Sequence, residues 1–443
     1  MDLEARITHL YGPEEVDYAE DELMVVCLVR DARPYVKSFV EHYFSMGVKH
    51  LAFLDNGSTD GTVEALRRYE NVTVLRTGLP FKEYQGAMKR HLIHRFGKQG
   101  RWVLYVDQDE LFDYPYSDVV SLGSFLRYLS GKSYTAFVAQ MLEMFPENPV
   151  THATEDEPLK ESHRFYDISN ITRQGYHTRG DASNVLDNEE IEIHRNGILR
   201  TVFGQRALLT KHPLIFLDGK MRAMDPGAHW VGGARVADIT GVLFHYKFIG
   251  GFQERVARAV EEGRYADNTT RYDKFFETLE RNPETRIKQE TAQELEHVND
   301  LVDAQFLVVS EDYAAWMDAE ERKSAPEGGP RRLAGAFSKA SAEARTQARV
   351  ARVLERRVGD LEDSLAAERR KARNRPEAGQ RREVDVLENR NRHLENKNTN
   401  LEKKIRNLER QIMDIQSSRS WRLLGGLGRV RDRLLQLKRR GSG

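Results

Sequence analysis

Apolar residues fall into two patterns over the first quarter of the chain: short unbroken runs, and stripes at helical spacing. Leu23-Met-Val-Val-Cys-Leu-Val29, His50-Leu-Ala-Phe-Leu54, Val72-Thr-Val-Leu75 and Trp102-Val-Leu-Tyr-Val106 are the runs. Each reads as a strand covered on both faces. Between them, Val36, Phe39, Val40, Tyr43 and Phe44 recur at helical spacing behind Pro34, with Gly47 as the stop. Residues 63–69 and 84–96 also read as helix. Strand–helix alternation of this kind predicts an α/β fold with a mostly parallel sheet flanked by helices. From about 134 to 250 the pattern breaks into short strands and loops, and 252–262 and 272–320 read as helix.

The C-terminal quarter follows another rule. Val384, Leu387, Asn391, Leu394, Asn398, Leu401, Ile405, Leu408, Ile412 and Ile415 alternate spacings of three and four, the a/d seam of a coiled coil. Arg390, Lys397 and Lys404 fall at g, and Glu395, Glu402 and Glu409 at the following e. An identical parallel chain would therefore meet opposite charge, which predicts a parallel homodimer. A weaker segment (Leu354, Val358, Leu361, Leu365) is out of phase and separated by Pro376. Beyond 417, Leu423, Leu427, Val430, Leu434 and Leu437 form an apolar stripe among arginines and lysines. A basic amphipathic tail fits peripheral contact with an anionic membrane or docking on a protein. With Trp421 as its one aromatic residue, it is not expected to bind nucleic acid. The expected organisation is an N-terminal extension (1–21), a catalytic domain (22–265), a helical extension (266–321), a linker (322–335), the coil (336–416, best heptads 384–415) and the tail (417–443).

Composition sharpens this division. The 443 residues are 40% hydrophobic and 31% charged, with a formal net charge of -1. That balance hides two unlike pieces: residues 331–443 carry 30 Lys and Arg against 15 Asp and Glu, and the first 330 carry 38 against 54. The single cysteine, Cys27, lies in an apolar run and excludes a disulfide scaffold. The first residues show no signal-peptide pattern and no stretch reaches the ~20 apolar residues of a membrane span. A reducing, cytoplasmic setting is expected, with the tail as a peripheral contact at the inner face of the cell membrane.

The chemistry concentrates at strand ends. Asp107-Gln-Asp109-Glu110 directly follows an apolar run. If the backbone stays extended, Asp107 and Asp109 point the same way, and two hard carboxylates there suit Mg²⁺ or Mn²⁺ bound with a phosphorylated ligand. Asp55-Asn-Gly-Ser-Thr-Asp-Gly61 closes the second strand in the same manner. It reads either as a turn with a helix cap at Asp60 or Thr62, or as a place where Asp55 accepts a hydrogen bond from a base or sugar.

Phe53-Leu-Asp55-Asn-Gly-Ser-Thr-Asp-Gly-Thr62 followed by Trp102-Val-Leu-Tyr-Val-Asp107-Gln-Asp109-Glu-Leu-Phe112 resembles the family-2-like glycosyltransferases with the GT-A fold, in the branch whose second motif is D-x-D-E-[FL]. The resemblance covers residues 22–115 best and extends to about 262. It implies that Asp55 contacts the nucleotide base and that Asp107 lies near the ribose or a metal-bound water. It places Asp109 on the metal, Mn²⁺ or Mg²⁺. Arg30 and Asp31 fall in the loop against the nucleotide, where Asp31-Ala32 replaces the usual Asn-Glu, and Gln85 matches a common Gln. Gly241-Val-Leu-Phe-His245-Tyr246 is similar to the family's His-Tyr element, so His245 is a candidate metal or diphosphate ligand. Lys220 and His229 resemble a Lys…His pair that would neutralise a phosphate.

The implied function is metal-dependent, inverting transfer of a sugar from a nucleotide-diphosphate sugar to an acceptor hydroxyl, on a glycan or lipid-linked acceptor of the cell surface. Glu143 is the candidate base, with Asp181, Asp225 and Asp238 as rivals. Two other functions stay open. A sugar-phosphate nucleotidyltransferase would need a glycine-rich phosphate loop where Val29-Arg-Asp-Ala-Arg-Pro34 stands, and a coiled-coil assembly protein would keep a degenerate, inactive domain.

Overall fold

The computed structural model describes residues 3–324 apart from 153–157, 179–182, 221–222, 225–227, 262–269 and 283. The expected coiled coil and basic tail lie outside the described residues, as do Asp181 and Asp225.

Among the described residues, ten strands form the main sheet. In chain order they are β1 (Ile7–Tyr11), β2 (Met24–Val29), β3 (His50–Asp55), β4 (Val72–Thr77), β5 (Trp102–Asp107), β6 (Glu110–Asp113), β7 (Ala136–Glu143), β8 (Val185–Leu186), β9 (Thr210–Phe216) and β10 (Arg235–His245). Across the sheet they lie in the order β1-β4-β3-β2-β5-β9-β7-β10-β8, with β6 also paired to β10. Neighbours β4, β3, β2 and β5 are parallel. β9 enters antiparallel between β5 and β7, and β7, β10 and β8 are again parallel. The sheet is thus mixed, as the α/β expectation allows, and the antiparallel entry of β9 is the part that local periodicity does not encode.

Strand alternation splits the core into two layers. The helices α1 (Arg33–Ser45), α2 (Thr62–Leu66), α3 (Phe81–Phe96) and α4 (Leu122–Gly131) connect the first seven strands. Phe39, Val40 and Tyr43 of α1 and Phe125 and Leu129 of α4 pack with Val25, Cys27, Phe53, Leu104 and Phe137. On the other side Met88, Leu92, Ile93 and Phe96 of α3 pack with Val26, Leu54, Val103 and Tyr105. Burial pushes the Cys27 thiol well above its usual pKa, so it is an apolar filler rather than a nucleophile. α1 ends as its sequence predicts. Gly47 takes φ +89°, its N–H donates to Phe44 O at 3.0 Å and that of Val48 to Tyr43 O at 3.1 Å, a Schellman closure open to glycine at little steric cost.

Three expected boundaries differ. The N-terminal extension supplies an edge strand, β1, antiparallel to β4 from Ile7↔Thr77. The segment read as a helical extension joins the main core through Phe275, Leu279, Leu301, Phe306, Leu307 and Tyr313. Helix α5 (Phe252–Glu261) precedes it, and its own helix is not continuous: between α6 (Thr270–Arg281) and α7 (Glu311–Ser324) the described residues hold only a two-residue strand, Gln293–Glu294, and a single helical turn, Asp300–Asp303. Asn282 precedes a proline, a position that avoids the helical region. α7 also runs through Ser324, past the expected start of the linker. Among the described residues no helix is long and apolar enough to cross a membrane.

Candidate active site

From β2 the chain steps outward to β3 and β4, then returns to place β5 on the opposite side of β2. The loop leaving β2 and the turn leaving β5 meet there, at the carboxyl edge of the parallel strands where open α/β sheets gather ligands. Register fixes what stands at that edge: Val29 pairs with Asp55 on one side and Leu28 with Asp107 on the other. Asp55 and Asp107 therefore lie two strand spacings apart, about 10 Å, with Arg30 between their strands.

The loop after β2 is tied down by side chains. The N–H groups of Arg30, Asp31, Ala32 and Arg33 donate in turn to Gln108 Oε1 (2.9 Å), Ser58 Oγ (2.9 Å), Thr62 Oγ1 (2.7 Å) and Asp60 Oδ2 (2.9 Å). Asp31, at φ +49°, returns a carboxylate oxygen to Thr59 N at 2.9 Å. These donors are satisfied before any ligand arrives, so the backbone phosphate cradle of the nucleotidyltransferase reading has no free amides here. The Asp-Asn-Gly-Ser-Thr-Asp-Gly segment is thus both turn and clasp. Asp55 is fully buried and accepts from Gly57 N, Ser58 N and Arg76 Nε, the last at 2.8 Å. Arg30 Nε is buried without a partner.

Asp107 and Asp109 do not share an extended backbone, as the sequence reading supposed. β5 ends at Asp107, a turn intervenes, and β6 starts at Glu110 and crosses to β10. The two acids consequently face different partners. Asp107 Oδ1 accepts from Tyr105 OH at 2.8 Å and Lys89 Nζ at 3.2 Å, and Oδ2 from Lys211 Nζ at 2.7 Å. Lys211 also reaches Glu110 Oε1 at 2.6 Å, and Glu110 Oε2 accepts from Asp107 N at 3.1 Å. Burial alone would raise the Asp107 carboxyl, but Lys211 and Lys89 outweigh it and hold it well below the usual range. Burial wins at Glu110, which is raised despite Lys211.

Asp109 belongs to a second line. His245, the last residue of β10, sets Nε2 3.2 Å from Asp109 Oδ2 and Nδ1 2.9 Å from Glu143 Oε1. His245↔Glu143 and His245↔Glu110 are register pairs, and Tyr246 N–H donates to Asp109 O at 2.8 Å, so three strand ends converge. Burial lowers the affinity of His245 for a proton, yet Glu143 and Asp109 outweigh it and lift it to about 10. His245 holds Asp109 below its ordinary value in return, against burial.

The other sequence candidates are placed as follows. Glu143 is the final residue of β7 rather than beyond it. It is 4% exposed, with Oε2 buried and unpartnered, and it stands behind His245 rather than where an acceptor hydroxyl would arrive. Asp238 accepts from Tyr128 OH and Ser310 Oγ near the opposite end of β10, seven residues from His245. Lys220 is not at the site. Phe216 pairs with Trp102, the first residue of β5, so the exposed Lys220 that follows lies at the far end of the sheet. The lysine on that strand that meets the acids is Lys211, 3% exposed at its other end. His229 does stay near this end, with Nδ1 2.9 Å from Thr210 O. Gln85 is half-buried in α3, one turn before Lys89 on the same face. Sequence reading missed Lys89, Lys211 and Gln108. A lysine opening the apolar Thr210-Lys-His-Pro-Leu-Ile-Phe216 was the one available signal.

Among the described residues no three His, Cys, Asp or Glu side chains form a ready-made cation cage. The donors nonetheless fit Mg²⁺ or Mn²⁺ of the kind held by one or two protein ligands plus substrate phosphates. Asp109 and His245 would be those ligands, and Glu143, on the far nitrogen of His245, fixes the ring orientation as outer partners of such histidines do. Both oxygens of Asp107 are already bound to cations.

No family model matches the chain. A glycosyltransferase family 92 protein of Arabidopsis thaliana is 26% identical over 117 residues, a match that spans 25% of this chain and 20% of that protein. The similarity is to a glycosyltransferase, and it does not extend to the family-2 branch that the motifs resemble.

Proposed function

We propose that the chain transfers a glycosyl group from a nucleotide-diphosphate sugar to an acceptor hydroxyl by a single, inverting displacement that depends on Mn²⁺ or Mg²⁺. The observation that carries this reading is the cluster at the carboxyl edge of the sheet. Asp55, Arg30 and Asp107 lie along that edge, Asp109 and His245 meet beside it, and a segment of the chain is similar to a glycosyltransferase. Asp109 and His245 would hold the cation, which when bound supplies charge stabilisation to the departing diphosphate. Lys89 and Lys211 keep Asp107 ionised and fixed as an acceptor toward the ribose side. Glu143 keeps the His245 ring in place. The acceptor is read as a glycan or lipid-linked sugar, with the coil as a parallel dimerisation element and the tail as a peripheral contact.

The test is to incubate the purified protein with a panel of nucleotide sugars and Mn²⁺ and to measure release of nucleoside diphosphate. Release that needs the cation and falls at least about 100-fold in Asp109→Ala, the scale of losing a charge-stabilising group, supports the reading. Pyrophosphate chemistry instead would favour nucleotidyl transfer. Silence with every donor, together with no nucleotide binding, would favour an assembly role.

A further inference from the structure

We infer that Lys247 is the protein's own cation for the diphosphate of the donor, a role beyond the motif residues. This deepens the transferase reading and rests on it. Three lysines stand around the acids, and two are committed: Lys89 to Asp107, and Lys211 to Asp107 and Glu110. Lys247 is different. It lies two residues past His245 and makes no ion pair among the described residues. Its Nζ sits 5.5 Å from the centroid of the Phe275 ring. An aromatic face holds an ammonium by roughly 0.5–2 kcal/mol while leaving its three N–H donors open to an anion.

The backbone around it is fixed on both sides. Tyr246 N–H donates to Asp109 O at 2.8 Å, and Phe248 O meets His163 Nε2 at 3.0 Å. Tyr246 and Phe248 are both buried, Phe248 stacked on Phe203 and edge-on to Phe252, whereas Lys247 between them is half-buried. The half-buried side chain between them thus reaches over the Phe275 face of the core, at the strand end that also carries His245. The positive charge of Lys247 helps to hold the Asp109 carboxyl below its ordinary value. A diphosphate lying against a cation at Asp109 and His245 would then meet Lys247 next, with the ammonium already ordered over Phe275 and little side-chain entropy left to lose.

Binding measurements separate this from the reading it rests on. UDP, GDP, ADP and TDP, each with Mn²⁺, are titrated into the full-length protein alongside the matching monophosphates. Lys247→Met keeps the side-chain length over Phe275 without the charge, and Lys247→Arg keeps the charge. The expected result is that Lys247→Met binds the preferred diphosphate about 10- to 100-fold more weakly, the loss of one charge-assisted contact. Monophosphate affinity changes less than about threefold, and Lys247→Arg recovers most of the loss. Equal weakening for mono- and diphosphate would show a structural role and overturn the inference, as would unchanged diphosphate binding in Lys247→Met. Should that variant fail to fold, Lys247→Gln is read against the same monophosphate control. If the wild-type protein binds none of the four diphosphates, the transferase reading itself falls, and the inference with it.

Discussion

Asp107 shows why the type of a residue is a poor guide to what it can hold. A carboxylate at a strand end beside a second one reads as a cation ligand, yet here it is held by Lys89, Lys211 and a tyrosine hydroxyl. What remains is an anchored negative charge, and the cation-facing role passes to Asp109 and His245. Lys211 is the centre of this arrangement, almost fully buried with two carboxylates on one ammonium. Removing one member of a buried ion cluster leaves the others uncompensated and costs about 3–5 kcal/mol. Lys211→Met, close in volume but neutral, should therefore lower unfolding free energy by that amount in urea titrations at pH 7. Pairing it with Glu110→Gln should recover part of the loss, because one stranded charge is then gone. A loss below about 1 kcal/mol in the single variant would mean that water reaches the cluster and that the lysine does little for the fold.

At the scale of elements, the site depends on β6 leaving β5 and lying along β10, which brings Glu110 opposite His245. Gly241 permits this approach. A Cβ there would stand 2.6 Å from Asp113 O and 2.7 Å from Phe137 Cε1, one a backbone atom and the other a ring fixed in the core. Gly241→Ala should destabilise by about 1–3 kcal/mol through overpacking. Because the displaced strand carries Glu110, it should also weaken Mn²⁺ binding measured by calorimetry, whereas Gly131→Ala, with open space at its Cβ, should leave that binding unchanged. Equal metal affinity in both would show that the β6 crossing does not set the site.

The same elements show what could be read in advance. The runs at 23–29, 50–54, 72–75 and 102–106 correspond to β2 to β5 because a strand covered on both faces must be apolar throughout, and that is local information. Asp55, Asp107 and Asp109 were legible as strand-end acids for the same reason. β9 was not, since its insertion between β5 and β7 is a pairing across more than a hundred residues. Its Lys211 accordingly went unseen, and the phosphate-neutralising role was assigned to Lys220, four residues past the other end of the strand. The turn at Gln108-Asp109 likewise broke the extended geometry that two acids at i and i+2 suggested.

For the molecule as a whole, the buried histidines set how the fold meets acid. Burial pushes His50 down to about 4, with Nε2 2.9 Å from Thr73 Oγ1. It pushes His42 down to about 3, helped by Lys160 at 2.8 Å from Nδ1 and opposed by the bond to Phe112 O. In the unfolded chain each would take up a proton near pH 6.5. Between pH 6.5 and about 4 the unfolded state thus binds more protons than the folded one, so stability must fall as pH falls through that window. At pH 5 each histidine should contribute a loss of about 2 kcal/mol, roughly 4 kcal/mol together. His245 offsets little of this: with a folded value near 10 it adds less than about 1 kcal/mol as pH falls from 7 to 6, and almost nothing below, where it is protonated in both states. The carboxylates held low by lysines act at lower pH again. His50→Gln, which keeps a donor toward Thr73 and cannot take up a proton, should remove about half of the stability difference between pH 7 and pH 5 in denaturant unfolding curves. An unchanged difference would mean that His50 already titrates normally in the folded chain and that strand β3 is open to water at its first residue.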